Sequence, residues 1–368
     1  MAPPSGLSVL VVGAGLVGRS AAYYLCREGA AVRLVDADAD PSSASRASLG
    51  VLTHCNGGDD AYGTLYRDGH ALHRGLAEEL RAETGTDPGW RALGGIDLVV
   101  SDDDEAEARR DQELNRARGC PAEWLSAAAV RDLEPGVAGP VRGGLYFPGD
   151  HRVDPGRLAA ALLTAVRRGG ARVDLGTAVE SLEPGSGGTV RAHLRTGGVT
   201  EQWVADFAVL AAGAWSDQLA VAGGVDLAVR PVRGQQARYR STAVPRHVLR
   251  LGGYHAVPAG DQVVVGATVE EVGFDSDPTS EAGAEFDRAI ASMLSGPAVR
   301  LEQRAGLRPK PRKGRPVIGP LPGWERVMVA TGHYKSGVLL GPITGLVVAR
   351  WITGGQPGRD MQHFAVRR

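Results

Sequence analysis

Cysteine is scarce: Cys26, Cys55 and Cys120 are the only three in 368 residues. An odd number at wide spacing argues against a disulfide framework, and no metal-ligand cluster is spaced among them. Net charge is lacking too. Forty-one basic residues balance 42 acidic ones to a formal −1, so there is no electrostatic case for nucleic acid or an anionic membrane. No apolar run reads as long enough to span a bilayer. The opening MAPPSGL has no basic segment, and the apolar run after it reads as a strand. A cytoplasmic protein with no membrane contact is therefore expected. There is no repeat at a period of roughly 20–50 residues and no disordered tail. Lysine is almost absent. Only Lys310, Lys313 and Lys335 occur, arginine standing everywhere else, so a lysine at a sensitive place is informative.

What is present is ordinary globular material, 43% hydrophobic and 23% charged, with length enough for two domains or for one large domain with an inserted one. The first forty residues carry the clearest pattern. Ser8 to Val12 is an apolar, β-branched run expected to form a buried strand. Gly13-Ala-Gly15-Leu16-Val17-Gly18 follows at once, then a helical pattern from Leu16 to Glu28, a capping Gly29, a second strand from Ala31 to Val35, and Asp36. Gly13 permits the tight turn, Gly15 lets a pyrophosphate approach the backbone, and Gly18 lets helix and strand pack closely. The helix N-terminus then faces phosphates and Asp36 a ribose hydroxyl. This unit predicts dinucleotide binding without separating FAD from NAD.

The polar segment Pro41 to Leu52 suits a loop laid along a cofactor, with Ser45 and Ser48 offering hydroxyls, and it favours FAD because an NAD unit usually continues into a helix here. Tyr62 to Glu83 reads as an amphipathic helix. His70 and His73 on it lack a third ligand and read as solvated or packed residues rather than a metal pair. Ser101 caps a helix headed by acids. A short helix is expected from Leu125-Ser126, and another from Asp154-Pro155 to about Arg168. The latter leads to strands at Ala171 to Leu175 and Thr177 to Leu182, a second βαβ-like crossover. Gly197-Gly198 marks a hairpin. Arg230 to Tyr239, Tyr254 to Pro258 and Gln262 to Thr268 alternate as an antiparallel sheet does. A helix is expected from about Glu281. Arg304 to Pro316, basic and proline-rich, reads as an ordered loop. Val327 to Ala330 is a strand, and a glycine-framed turn leads into a closing helix from about Gly341 to Ile352.

Taken together, these blocks resemble the D-amino-acid oxidase superfamily of FAD enzymes, and most closely its bacterial glycine oxidase branch. The resemblance spans nearly the whole chain. It rests on VVGAGLVG with Asp36, SRASLGVL, LYFPGDHRVDP, VLAAGAWS at 209–216, RPVRGQ, VVVGATVEEVGFD at 263–275, AGLRP at 305–309, RPVIGP, and GHYKSGVLLGPITG at 332–345. It implies an α/β fold of glutathione-reductase-like type. A Rossmann-like FAD domain (1–84, 145–228 and 300–368) would join an α+β substrate domain built on an antiparallel sheet (85–144 and 229–299).

By position, the resemblance places noncovalent FAD against Gly13, Gly15, Leu16, Val17, Gly18 and Asp36. Ser45, Arg46, Ala47, Ser48, Gly50, Val51 and Leu52 would follow the pyrophosphate and flavin. Val179 would meet adenine through its backbone, and Ala212, Gly213 and Trp215 would lie on the cofactor side. Gly332, His333, Tyr334, Lys335, Ser336, Gly337, Val338 and Leu339 would edge the isoalloxazine. Arg308 would grip the substrate carboxylate, a role that suits a guanidinium fork. Two departures mark the pocket. Lys335 and Ser336 stand where glycine oxidases have arginine and asparagine, and His255 where they often have tyrosine, with Tyr254 adjacent.

The resemblance implies oxidation of a small α-amino acid or amine, such as glycine, sarcosine or a small D-amino acid. Hydride transfer to FAD would give an imine, then a 2-oxo acid and ammonia, and oxygen would be reduced to hydrogen peroxide. Glycine would suit thiamine thiazole synthesis. A dehydrogenase with another acceptor or substrate, a flavoprotein that only binds, and an NAD enzyme are the rivals. A homo-oligomer is expected by analogy.

Overall fold

In the computed structural model, residues 6–41, 43–55, 58, 60–221 and 226–366 are described; the opening residues 1–5, part of the segment read above for targeting, lie outside them. The first strand, Ser8–Val12, sits at the centre of a six-stranded sheet. It pairs in parallel with Ala31–Asp36 on one side and Phe207–Leu210 on the other. Arg172–Leu175 extends the sheet beyond Ala31–Asp36 in parallel. Trp324–Thr331 extends it beyond Phe207–Leu210, also in parallel, and Val317–Leu321 adds an antiparallel edge. The continuous apolar run of the first strand follows from burial on both faces. Val9 and Val11 face a core shared with the helices Leu16–Arg27, Pro155–Arg168, Ala61–Thr84 and Gly337–Gly354. Leu10 and Val12 face a second core, with Leu182, Val190 and Leu194 of a four-stranded sheet.

The expected hairpin is present, Val190–Thr196 pairing antiparallel with Val199–Ala205. The helix Pro155–Arg168 is started by Asp154, whose carboxylate accepts from Arg157 N–H at 3.0 Å. The expected βαβ crossover is not formed: Gly143–Phe147 before this helix, Arg172–Leu175 after it and Thr177–Pro184 beyond lie in three different sheets. Ser101 closes a reciprocal cap with Asp104. Gly85 ends the 24-residue helix Ala61–Thr84 in the left-handed conformation.

An eight-stranded, mostly antiparallel sheet forms the other half. Its long strands Val229–Ser241 and Ala298–Pro311 pair along almost their full length. Gln262–Gly266, Tyr254–Ala259, Val248–Leu251, Gly95–Val99, Gly143–Phe147 and Glu123–Ser126 follow in order. Helix Ser280–Met293 covers one face, Phe286, Ile290 and Met293 packing on Tyr239, Val263 and Val265.

Several expectations are corrected. Arg304 to Pro316 is not mainly a loop: residues to Pro311 belong to the long strand. That strand is the sheet edge, where a proline need not donate to a ladder. Residues 123–126 are a strand, and the helix begins at Ala127 with Ser126 as its cap. Cys55 and Cys120 are joined in a disulfide with a Cα separation of 5.7 Å, despite 65 residues between them. His54 stands beside this pair, but with both sulfurs spent in the disulfide the three residues offer no thiolate to a metal. Tyr334–Gly354 is by length and composition apolar enough to cross a membrane, contrary to the sequence reading. Here it is a core helix, packed against Leu16–Arg27 and Ala61–Thr84. The division expected at 144/145 falls inside Gly143–Phe147, and that at 299/300 inside Ala298–Pro311.

Candidate active site

A cavity of about 460 Å³ opens between turns that follow strands of the six-stranded sheet and the long paired strands of the eight-stranded one. Its walls come from the glycine turn, the segment at 44–53, the paired strands at 234 and 306–309, and the turn at 333–339. No aspartate or glutamate lines it among the described residues.

The glycine turn is built as its sequence implies. Gly13 has φ +102°, and its N–H donates to Val35 O at 2.8 Å. A Cβ there would lie 2.4 Å from Ala211 O, and one on Gly18 1.8 Å from Gly13 O. Gly15 differs, because a Cβ on it would meet nothing within 4 Å. It is the N-cap of Leu16–Arg27 and makes no side-chain cap, so the helix's first N–H groups are left for a ligand at the cavity wall formed by Gly15, Leu16 and Val17. Asp36 lies behind this wall. Its carboxylate accepts from Ala14 N–H at 2.6 Å and Asp38 N–H at 2.9 Å, while burial pushes its pKa up. A carboxylate so placed still has lone pairs for a ribose hydroxyl. Val179 lies in a β-bulge against the second core, outside the lining.

In the following segment Ser45, Ala47, Ser48, Gly50 and Val51 line the cavity. Arg46 turns out to Asp40 at 2.6 Å, and Leu52 is fully buried in the core. Ala211 rather than Ala212 reaches the lining. Gly213 serves through its carbonyl, which accepts from Ser216 Oγ and Thr331 Oγ1. Trp215 is 43% exposed and rests on Phe274, away from the cavity.

Opposite, His333 to Leu339 line the cavity as a block, with Gly332 just before them in the left-handed region at φ +75°. Tyr334 has φ +48°, a sparsely populated region for a side chain of its size. Lys310 and Lys335 flank its ring at 5.8 and 5.6 Å. His333 donates or accepts at Thr344 Oγ1 (2.9 Å), and burial lowers its pKa to about 4. Ser336 Oγ donates to His333 O and accepts from Tyr62 OH at 3.3 Å.

Arg308 enters the cavity from the edge strand. Its Nη1 donates to Thr268 O at 2.8 Å, and no carboxylate pairs with it among the described residues. Burial lowers its pKa, yet a guanidinium stays charged. Lys335 is exposed, also without a carboxylate partner among the described residues. His255 lines the cavity, and its Nδ1 is buried with no partner. Burial lowers its pKa to about 4, reinforced by Arg250, a part-buried guanidinium held between Asp97 and Asp150. Tyr254 is not a cavity residue. Strand alternation sends it to the other face, where its hydroxyl donates to Glu285 at 2.6 Å. The one-residue shift that would have substituted Tyr254 for His255 does not occur.

Residues unforeseen from sequence complete the walls. Tyr66 and Thr53 meet through their hydroxyls at 2.5 Å, and Tyr62 joins them from the same helix. The i, i+4 spacing of Tyr62 and Tyr66 was the available signal. Gly234 and Gly306 form the sheet floor.

Of the two histidine readings, solvated or packed, the second applies: His70 reaches Gly149 O at 3.0 Å and His73 reaches Leu339 O at 3.1 Å.

FAD fits these walls on three counts: an uncapped helix terminus, an open Gly15, and an unpartnered buried imidazole nitrogen. Comparison with known proteins agrees. A family model described as FAD dependent oxidoreductase matches residues 8–351. A glycine oxidase of Pseudomonas aeruginosa is 32% identical, with 97% of this chain and 98% of that protein covered. The crystal structure of glycine oxidase from Geobacillus kaustophilus superposes with a TM-score of 0.90 at 29% identity, over 99% of both chains. That of iminodiacetate oxidase from Chelativorans gives 0.83 at 29% identity, over 97% of this chain and 98% of the other.

Proposed function

This chain belongs to the FAD dependent oxidoreductase family, and from that premise we propose that it oxidises glycine, sarcosine or a similarly small amino acid with oxygen as acceptor. The observation that carries this reading is Arg308, a half-buried guanidinium without a carboxylate partner among the described residues, in a cavity that has none to offer among them. The glycine oxidases among its relatives support the same substrate class.

FAD held by the glycine turn and the facing block at 333–339 would supply the redox chemistry. The chain's own residues bind and aim. Arg308 takes the substrate carboxylate through the N–H groups not spent on Thr268 and so fixes the direction of the Cα–H. Tyr334 and Val269 wall the site. No described lining group is a suitable base at neutral pH. His255 and His333 have pKa values lowered to about 4, and the cavity has no carboxylate among the described residues. The amine must therefore arrive already deprotonated. It follows that kcat/KM rises about tenfold per pH unit until the pKa of the free amine is reached. A pH profile that is flat between 7 and 9 would contradict this.

A second reading is a secondary amine with two carboxylates. It is favoured by Lys335, a second cation at the cavity without an acidic partner among the described residues, and by the iminodiacetate oxidase likeness. Peroxide release is measured with glycine, sarcosine, D-alanine and iminodiacetate. Higher kcat/KM for glycine or sarcosine supports the first reading, and a clear preference for iminodiacetate the second. Reduction of an artificial dye without peroxide would mean a dehydrogenase.

A further inference from the structure

The paired strands Val229–Ser241 and Ala298–Pro311 set Gly234 opposite Gly306 and Val232 opposite Arg308. Gly234 is thus the diagonal neighbour of Arg308 on one face of the sheet. All three of Gly234, Gly306 and Arg308 line the cavity. A Cβ built on Gly234 would lie 2.0 Å from Arg308 Cζ and 2.1 and 2.2 Å from its two Nη atoms. The guanidinium fills the space that any side chain at 234 would take.

The backbone does not ask for glycine here. Gly234 is not among the residues with positive φ, and no backbone atom is among the close neighbours of its built Cβ. Glycine lowers the stability of a strand interior unless something must come close. What comes close is the far end of a flexible side chain. A methyl at 234 would therefore move Arg308 rather than break the ladder. The carbonyl of Thr268 holds Nη1 at 2.8 Å from the other side. The guanidinium is seated between a carbonyl and a missing side chain.

We infer that Gly234 is a positioning residue, its lack of a side chain seating the Arg308 guanidinium at the carboxylate end of the cavity. This inference rests on the reading of Arg308 as the carboxylate clamp. The substitution Gly234→Ala displaces the guanidinium and weakens carboxylate binding while leaving the sheet and the flavin in place.

The test is acetate titration of the purified holoenzyme, followed by perturbation of the flavin absorbance, for wild type, Gly234→Ala, Arg308→Ala and the double variant. A charge-assisted clamp predicts that either single substitution weakens acetate by about 10–100-fold, with the double variant no worse than Arg308→Ala. Flavin content stays at the wild-type level, and KM for glycine rises more than kcat falls. If Arg308→Ala loses affinity and Gly234→Ala does not, the inference about Gly234 is wrong and the clamp stands. If wild type and Arg308→Ala bind acetate alike, the clamp itself is wrong. Arg308→Ala guards against a general effect on folding, because it vacates the space above residue 234. Acetate affinity of Arg308→Ala is expected to be the same with or without Gly234→Ala, and an equal further loss in that background overturns the positioning role.

Discussion

Arg308 is half-buried at the cavity without a carboxylate partner among the described residues, which leaves its guanidinium free to pair with a ligand carboxylate. Arg308→Ala should lower kcat/KM for glycine by about 100-fold or more, given the usual strength of a charge-assisted pair, as steady-state kinetics would show. Tyr254→Phe should leave kcat/KM within about twofold, because its hydroxyl serves Glu285, and should cost about 1 kcal/mol of stability for the lost hydrogen bond. A large loss of activity in this variant would contradict the placement of Tyr254. These two residues also show what sequence could tell. Arg308 was legible because the AGLRP block carries it. The choice between Tyr254 and His255 was not, because a strand sends neighbours to opposite faces and the register decides which is which. Lys335 was legible as a departure, and its effect is read from Lys335→Arg: an unchanged substrate preference would count against a pocket altered by the lysine.

At the scale of elements, the glycine turn tolerates least. A Cβ on Gly18 would lie 1.8 Å from a backbone carbonyl that cannot move aside, so Gly18→Ala should purify with little FAD and a lowered Tm. The Cys55–Cys120 bond follows the cavity-lining residue Thr53 by two positions and closes a long loop. Its removal by Cys55→Ser should cost about 2–4 kcal/mol under oxidising conditions, and added reductant should erase the difference from wild type. An equal Tm in oxidising buffer would contradict the bond. The turn was legible because strand, glycines, helix and acid occur within one unit. The disulfide was not, since Cys55 and Cys120 come together only through packing of the segments around them. The edge strand at 298–311 was hidden for another reason: its prolines imitate a loop, and only the edge position makes them harmless.

Across the whole molecule, two sheets divide the work. The parallel one supplies an open helix terminus and the antiparallel one supplies Arg308, and both line the cavity. Alternating patterns and the glycine unit made both sheets readable, whereas the contact between them depends on long-range packing that no local pattern states. Burial of histidines is also a property of the whole. His70, His73, His255 and His333 each have a pKa lowered from 6.5 to about 4 by burial. The unfolded chain therefore binds more protons than the folded one between about pH 6.5 and 4. Stability should fall as pH drops through that window and change little from these groups above pH 7. Thermal melts of the holoenzyme from pH 8 to 4.5 check this, and a rising Tm on acidification would contradict it.

The most direct test of the central claim is anaerobic mixing of the holoprotein with glycine or sarcosine while flavin absorbance is followed near ~450 nm, a general property of the cofactor. Loss of that absorbance, and its return with stoichiometric peroxide when air is admitted, is the predicted result. A protein that carries FAD, yet keeps its absorbance with both substrates, would contradict the claim that this cavity oxidises small amino acids.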